Sequence, residues 1–137
     1  MNEQGSNVPK LQLERVGKIF QAKTGEVEAL RNVSLTLQAG EFVSLVGPSG
    51  CGKTTTLNII AGLEEADEGK VLVDGRAVRG PGPDRTVMFQ ESALFPWMTV
   101  RKNVEFGLML KGVGRAARRA KAEEFLRLVH LQQFADS

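Results

Sequence analysis

Apolar positions in the first third of the chain alternate rather than cluster. Leu11, Leu13 and Val16, then Ile19 and Phe20, make a short apolar stretch with imperfect alternation, and Glu26 to Leu30 with Val33, Leu35 and Leu37 repeat the period of two. That period turns one face of a strand to a core and the other to water, so the opening predicts antiparallel β structure closed by a turn at Gly40. Residues 41–46 (Glu-Phe-Val-Ser-Leu-Val) differ: they form a mostly apolar run ending at Gly47, the pattern of a strand covered on both faces. From Lys53 the spacing becomes helical, with Leu57, Ile60 and Ala61 on one face and Gly62 placed as the stop.

Farther along, Lys70 to Asp74 predicts a second short strand. Asp74-Gly75 is a hairpin signal, with Arg76, Ala77 and Val78 returning. The run Gly80-Pro81-Gly82-Pro83-Asp84 must be a loop, because its prolines lack donors and its glycines add chain entropy, and Thr86 to Phe89 predicts one more strand. Thr99 then caps a helix carrying Val104 and Leu108, interrupted around Gly112 and Gly114. Ala117, Ala120, Phe125, Leu128 and Val129 follow helical spacing, and Arg115, Arg118, Arg119 and Lys121 read as that helix's solvated face. Residues 1–9 read as a frayed tail, 10–91 as a β-rich and glycine-loop core, and 92–137 as the start of a helical part.

Composition narrows the chemistry without naming it. The 137 residues carry 18 Lys plus Arg against 16 Asp plus Glu, a net charge of +2, which lacks the basic stripe of a nucleic-acid binder and predicts none as partner. Cys51 and His130 are the single cysteine and histidine, so neither an intramolecular disulfide nor a zinc site can be assembled. No apolar run approaches a membrane span, and the first ten residues lack the apolar core of a signal peptide.

The chemistry is carried by Gly47-Pro48-Ser49-Gly50-Cys51-Gly52-Lys53-Thr54, which satisfies G-x-x-x-x-G-K-[ST] between a predicted strand and a predicted helix. Glycines let successive backbone N–H groups turn inward, the helix start adds positive potential, and Lys53 reaches terminal phosphates as a mobile charge. Thr54 offers a hydroxyl to Mg²⁺ and Thr55 a further donor; Cys51 serves as a spacer contributing its amide. Val71-Leu72-Val73-Asp74 imitates an ATPase metal-site strand, but Gly75 follows at once, so Asp74 is a turn residue. A GTPase or kinase reading finds neither a guanine motif nor an acceptor site.

Together with this loop, Ile59-Ile60-Ala61-Gly62-Leu63, Asp67-Glu68-Gly69 and Val87-Met88-Phe89-Gln90 make the chain resemble the nucleotide-binding subunit of ATP-binding cassette (ABC) transporters from about Leu11 to Ser137. Gly80-Pro81-Gly82-Pro83-Asp84-Arg85, the stretch Ala93-Leu94-Phe95-Pro96-Trp97-Met98-Thr99-Val100, and Asn103-Val104 are similar to the nitrate, sulfonate, taurine and bicarbonate importer branch. The resemblance implies an α/β P-loop ATPase core with an N-terminal antiparallel portion and the beginning of an α-helical lobe.

It also implies roles. Phe20 stands where the family stacks an aromatic, often Tyr, on adenine; read from pattern alone, it packs in a β-core. Gln90 resembles the residue that touches Mg²⁺ and the attacking water, a neutral amide suited to both, and with Lys53 it forms the catalytic pair expected here. Phe95, Pro96 and Trp97 lie in the region that meets the permease's coupling helix, although Phe95 equally suits the lobe's own core. Expected cofactors are ATP and Mg²⁺, and expected partners a transmembrane permease, through Gln90 to Trp97, and a second ATPase subunit as a homodimer in the complete protein. The implied location is cytoplasmic, peripheral on the inner face of the membrane.

The family's signature loop, the strand ending in Asp-Glu and the switch histidine do not occur among these residues. Phosphoryl transfer depends on positioning and charge stabilisation, so the 137-residue chain is expected to bind ATP weakly without turnover, to leave apolar sheet faces open and to be marginally stable. The two readings at this point are the N-terminal portion of a small-anion importer's ATPase subunit and an inactive nucleotide-binding remnant or interaction module.

Overall fold

A computed structural model describes residues 8–23, 25–91 and 94–137, so most of the predicted tail, Ser92 at the predicted boundary, and Ala93 lie outside the described residues. The chain divides into two compact units, one up to Val87 and one from Met88.

In the first unit, strand β1 (Leu11–Ala22) lies between β2 (Gly25–Leu37) and β3 (Glu68–Val73), all antiparallel, and the two-residue β4 (Arg76–Ala77) closes the order β2-β1-β3-β4. The alternation in the sequence is what builds this sheet: Leu13, Val16, Leu30 and Val71 turn to one side and meet Ile59 of helix α1 (Lys53–Ala61) in the core, with Leu11, Val33 and Leu35 packed around them. The alternating positions from Glu26 to Leu37 fall on one continuous strand, β2, whose Asn32 takes φ 50°.

Register breaks occur between Leu13 and Val16, Val16 and Lys18, and Lys18 and Ile19; the first puts its extra residue on β1, where Arg15 takes φ 48° and interrupts the alternation, and the other two put theirs on β2. At the first break the chain passes close to β3. A Cβ on Gly69 (φ 76°) would lie 2.2 Å from the Glu14 carbonyl oxygen, so only glycine fits. Asp74 (φ 48°) and Gly75 (φ 73°) make the β3–β4 hairpin, the turn role assigned to Asp74 from sequence. Gly62, at φ 75°, ends α1 with its N–H on the Ile59 carbonyl.

Two predicted strands do not form. Residues 41–46 pair with nothing among the described residues and stand open, Phe42 and Val46 each 92% exposed, and residues 86–89 are likewise outside any sheet, with Met88 96% exposed. The reason is physical: an apolar run becomes a covered strand only when neighbours supply both its hydrogen bonds and its two lids, and no described strand lies alongside either run.

The second unit holds α2 (Val100–Leu110), α3 (Arg115–Leu128) and a 3-10 turn at Gln132–Phe134. The Thr99 hydroxyl accepts from the Lys102 N–H at 3.3 Å, the predicted cap, and Gly112 (φ 73°) starts the turn between the helices. Helix α3 buries Ala122 and Leu126, while Phe125, Leu128 and Val129, the predicted apolar face, are exposed; small Ala122 allows close approach, and the apolar flank beside it lacks a cover among the described residues. Arg118 corrects the reading of a wholly solvated basic face, because its Nε donates to Glu105 of α2 at 3.2 Å. His130 follows α3 at φ 57°.

Candidate functional site

The glycine loop leads into α1 at Gly52, whose φ of 90° and ψ of 2° no other residue adopts cheaply. It also lies against β2: a Cβ there would stand 2.6 Å from the Ala29 carbonyl oxygen and 2.7 Å from Leu30 Cδ2. The loop is thereby locked to the sheet. Gly50 (φ 81°) turns in open space, and Gly47 lies under the Cys51 thiol, which a Cβ would meet at 2.6 Å.

Helix α1 starts without a side-chain cap and with no acidic residue in its first turn. Thr56 N–H donates to the Gly52 carbonyl at 2.9 Å, so the N–H groups of Lys53, Thr54 and Thr55 are the ones a helix start leaves without an intrahelical acceptor. Lys53 Nζ turns back over the loop and donates to the Gly47 and Pro48 carbonyls at 2.7 and 2.6 Å, with Cys51 Sγ at 3.4 Å. Its charge is neutralised by no carboxylate among the described ion pairs. An ammonium, three amide donors and a helix start, with no acid in the helix's first turn, are suited to a polyphosphate anion.

Of the predicted metal contacts, Thr54 is exposed in the first turn and Gln90 is exposed in the second unit. Thr56, which sequence reasoning passed over, is buried and uses its hydroxyl on the Gly52 carbonyl at 2.9 Å, stiffening the turn that carries Thr54 and Thr55. No cluster of acidic, histidine or cysteine ligands exists among the described residues.

Phe20 lies on β1 opposite Val27 and is 38% exposed. Val27 is two residues from Ala29, where Gly52 abuts β2, a separation of about 7 Å along a strand. The sheet thus carries the aromatic and the glycine loop on neighbouring stretches. Lys18 Nζ stands 5.3 Å from the Phe20 ring centroid, over its face.

Lys18 had no signal in the sequence, because its partners are some 47 residues away. Its ammonium reaches Glu64 Oε1 at 2.8 Å, the Glu65 carbonyl at 2.8 Å and Asp67 Oδ1 at 3.2 Å, while Asp67 Oδ2 accepts the Ile19 N–H at 2.7 Å. The hydrogen bond to Glu64, ahead of the opposing effect of burial, raises the Lys18 pKa above 10.5; the Ile19 N–H, then Lys18, lower that of Asp67 below 3.8. A lowered carboxylate pKa stabilises the fold above its ordinary value and loses that contribution as pH falls through the folded value; a raised lysine pKa does so below its ordinary value and fades on the alkaline side. Both contributions are therefore full between pH 3.8 and 10.5. Urea unfolding at pH 7 and pH 3 should show Asp67→Asn less stable than the parent at pH 7, with the gap narrowing at pH 3; an unchanged gap would remove the ion pair from the account.

In the second unit, Asn103 holds the apolar loop. Its Oδ1 accepts the Phe95 N–H at 2.8 Å and its Nδ2 faces the Phe95, Met98 and Thr99 carbonyls at 3.1 to 3.2 Å. Phe95, half-buried, packs on Phe106 with ring centroids 4.6 Å apart, whereas Trp97 is 75% exposed.

Residues 30–137 match the family model described as ABC transporter. The chain is 51% identical over 128 residues to an uncharacterised ABC transporter ATP-binding protein of Methanocaldococcus jannaschii, covering 93% of this chain and 48% of that one. It is 48% identical over 125 residues to a taurine import ATP-binding protein, TauB, of Burkholderia pseudomallei, covering 91% and 48%. The chain thus spans about half the length of the curated relatives it matches. Among solved structures it is similar to a dimeric ATP-binding cassette in a post-hydrolysis state bound to ADP and Pi, with a TM-score of 0.79 and 34% identity over 92% of this chain and 60% of that one.

Proposed function

Because the chain belongs to the ABC transporter family, a family of P-loop ATPases, we propose that it is the nucleotide-gripping portion of a transporter's ATP-binding subunit. The observation that carries the reading is the glycine loop at Gly47 to Thr54: Lys53 lies over it, and the first-turn amides of α1 are uncapped. In this role the loop amides and Lys53 hold the phosphates, Phe20 stacks on adenine, and Thr54 and Gln90 hold Mg²⁺. Lys53 and Gln90 contribute to hydrolysis in the complete subunit. ATP supplies the phosphoryl group whose cleavage powers transport, and Mg²⁺ neutralises its charge.

The transported solute is proposed to be a small anion such as nitrate, a sulfonate or taurine. Support comes from the sequence stretches at 80–85 and 93–100 with Asn103-Val104, and from the taurine import ATP-binding proteins among the relatives. A permease contact through Gln90 to Trp97 accords with the exposed Trp97 beside a buttressed Phe95. Peripheral attachment to the inner membrane face belongs to the same reading, as does pairing with a second ATPase subunit. Among the described residues no helix is long and apolar enough to cross a membrane.

The test is calorimetric titration of the 137-residue chain with Mg-ATP, paired with a phosphate-release assay. Saturable binding without phosphate release is expected. Absence of binding overturns the nucleotide reading, and steady phosphate release overturns the expectation that these residues bind without turning over.

A further inference from the structure

We infer that Lys18 is a positioning residue for Phe20, setting the face on which a purine stacks; the inference rests on the proposal that Phe20 contacts adenine. Lys18 and Phe20 are two apart on β1, the spacing that places side chains on one face of a strand. The Lys18 ammonium lies over the ring at 5.3 Å, close enough for attraction between a cation and the negative π-face.

What makes this contact more than a surface encounter is how the ammonium is held. Lys18 is 8% exposed, and its three N–H donors match three acceptors: Glu64 Oε1, the Glu65 carbonyl and Asp67 Oδ1. Asp67 grips the strand a second time, since its other oxygen accepts the N–H of Ile19, the residue between Lys18 and Phe20. One carboxylate therefore fixes both the cation and the backbone that carries the ring. Both register breaks that flank Lys18 put their extra residue on β2, so β1 keeps its alternation from Lys18 to Phe20.

Phe20 has no hydroxyl by which to be tethered, and at 38% exposure it is only partly gripped by packing. The cation holds one face of the ring and leaves the other for a base. It also draws π-density toward itself, which makes the open face a better partner for an electron-rich purine. The ion cluster thus couples the turn after α1, at Glu64 to Asp67, to the base-stacking ring.

The experiment measures affinities of the 137-residue chain and its variants for Mg-ATP and for Mg-tripolyphosphate, which shares the phosphates and lacks the base. Phe20→Ala is expected to weaken ATP by about tenfold, the scale of one lost base–aromatic stack, and to leave tripolyphosphate unchanged. Lys18→Met should weaken ATP alone, by about threefold, with Lys18→Arg restoring most of it. In the Phe20→Ala background Lys18→Met should cost ATP nothing further, because the lysine acts through the ring.

Equal losses for both ligands, or a full additional loss in the Phe20→Ala background, would make Lys18 merely structural and overturn the inference. So would an unchanged ATP affinity in Lys18→Met while Phe20→Ala loses its tenfold. If Phe20→Ala itself leaves ATP affinity unchanged, the stacking assignment fails and the inference falls with it. Glu64→Gln keeps the lysine stem in the core and serves if Lys18→Met unfolds the chain; the same ATP-only loss is expected from it, and none would count against the inference.

Discussion

Lys53→Ala is expected to weaken Mg-ATP binding by about a hundredfold, roughly 3 kcal/mol, while leaving the fold within about 1 kcal/mol of the parent. Lys53 Nζ now donates to two carbonyls of its own loop, Gly47 and Pro48, at 2.7 and 2.6 Å. These are neutral acceptors at the protein surface, and water replaces them at little cost. Phosphate oxygens are charged, and hydrogen bonds between an ammonium and an anion contribute about 1.5–3 kcal/mol each. The substitution therefore removes much more from the complex than from the empty chain. Calorimetric titration of parent and variant, with urea midpoints alongside, separates the two effects. Unchanged affinity in the variant would refute the phosphate-cradle assignment.

The second large effect falls on Gly52. Gly52→Ala should destabilise the chain by about 3 kcal/mol, since an alanine in the left-handed region costs about 1–2 kcal/mol and forced overpacking about 1–3 more. The backbone φ is 90°, and the new Cβ would meet the Ala29 carbonyl oxygen at 2.6 Å, a backbone atom that cannot step aside without moving β2. Because that contact is how the loop is locked to the sheet, ATP affinity should fall too. Gly50→Ala is the control. Its φ is 81°, yet nothing lies within 4 Å of the added carbon, so only the conformational cost of about 1–2 kcal/mol remains. Equal urea midpoints for the two variants would show that the approach to β2 does not matter.

Much of the site was legible before the fold. The loop from Gly47 to Thr54 announces itself because cradling phosphates demands glycines, a lysine and a hydroxyl at fixed spacing over consecutive residues. The same locality explains why Thr99 as cap, Gly62 as stop and Asp74-Gly75 as turn were readable. Where the reading failed, partners were distant or missing. The runs at 41–46 and 86–89 have strand composition and no described neighbour to pair with, and composition cannot supply a ladder. On α3, helical spacing marked Phe125, Leu128 and Val129, but the face that meets its neighbours is that of Ala122 and Leu126.

By itself, then, the sequence determined the glycines, lysine and hydroxyls of the loop at Gly47 to Thr54, the caps and turns, and the membership of an ATPase family, since each depends on residue types a few positions apart. Only the tertiary structure decided that Gly52 abuts Ala29, that Arg118 pairs with Glu105, and that Lys18 is held by Glu64, Glu65 and Asp67 over the ring of Phe20. Those contacts join residues up to 49 positions apart. They arise from how bulged strands and a helix end pack together, and no local pattern of hydrophobic and polar residues encodes that.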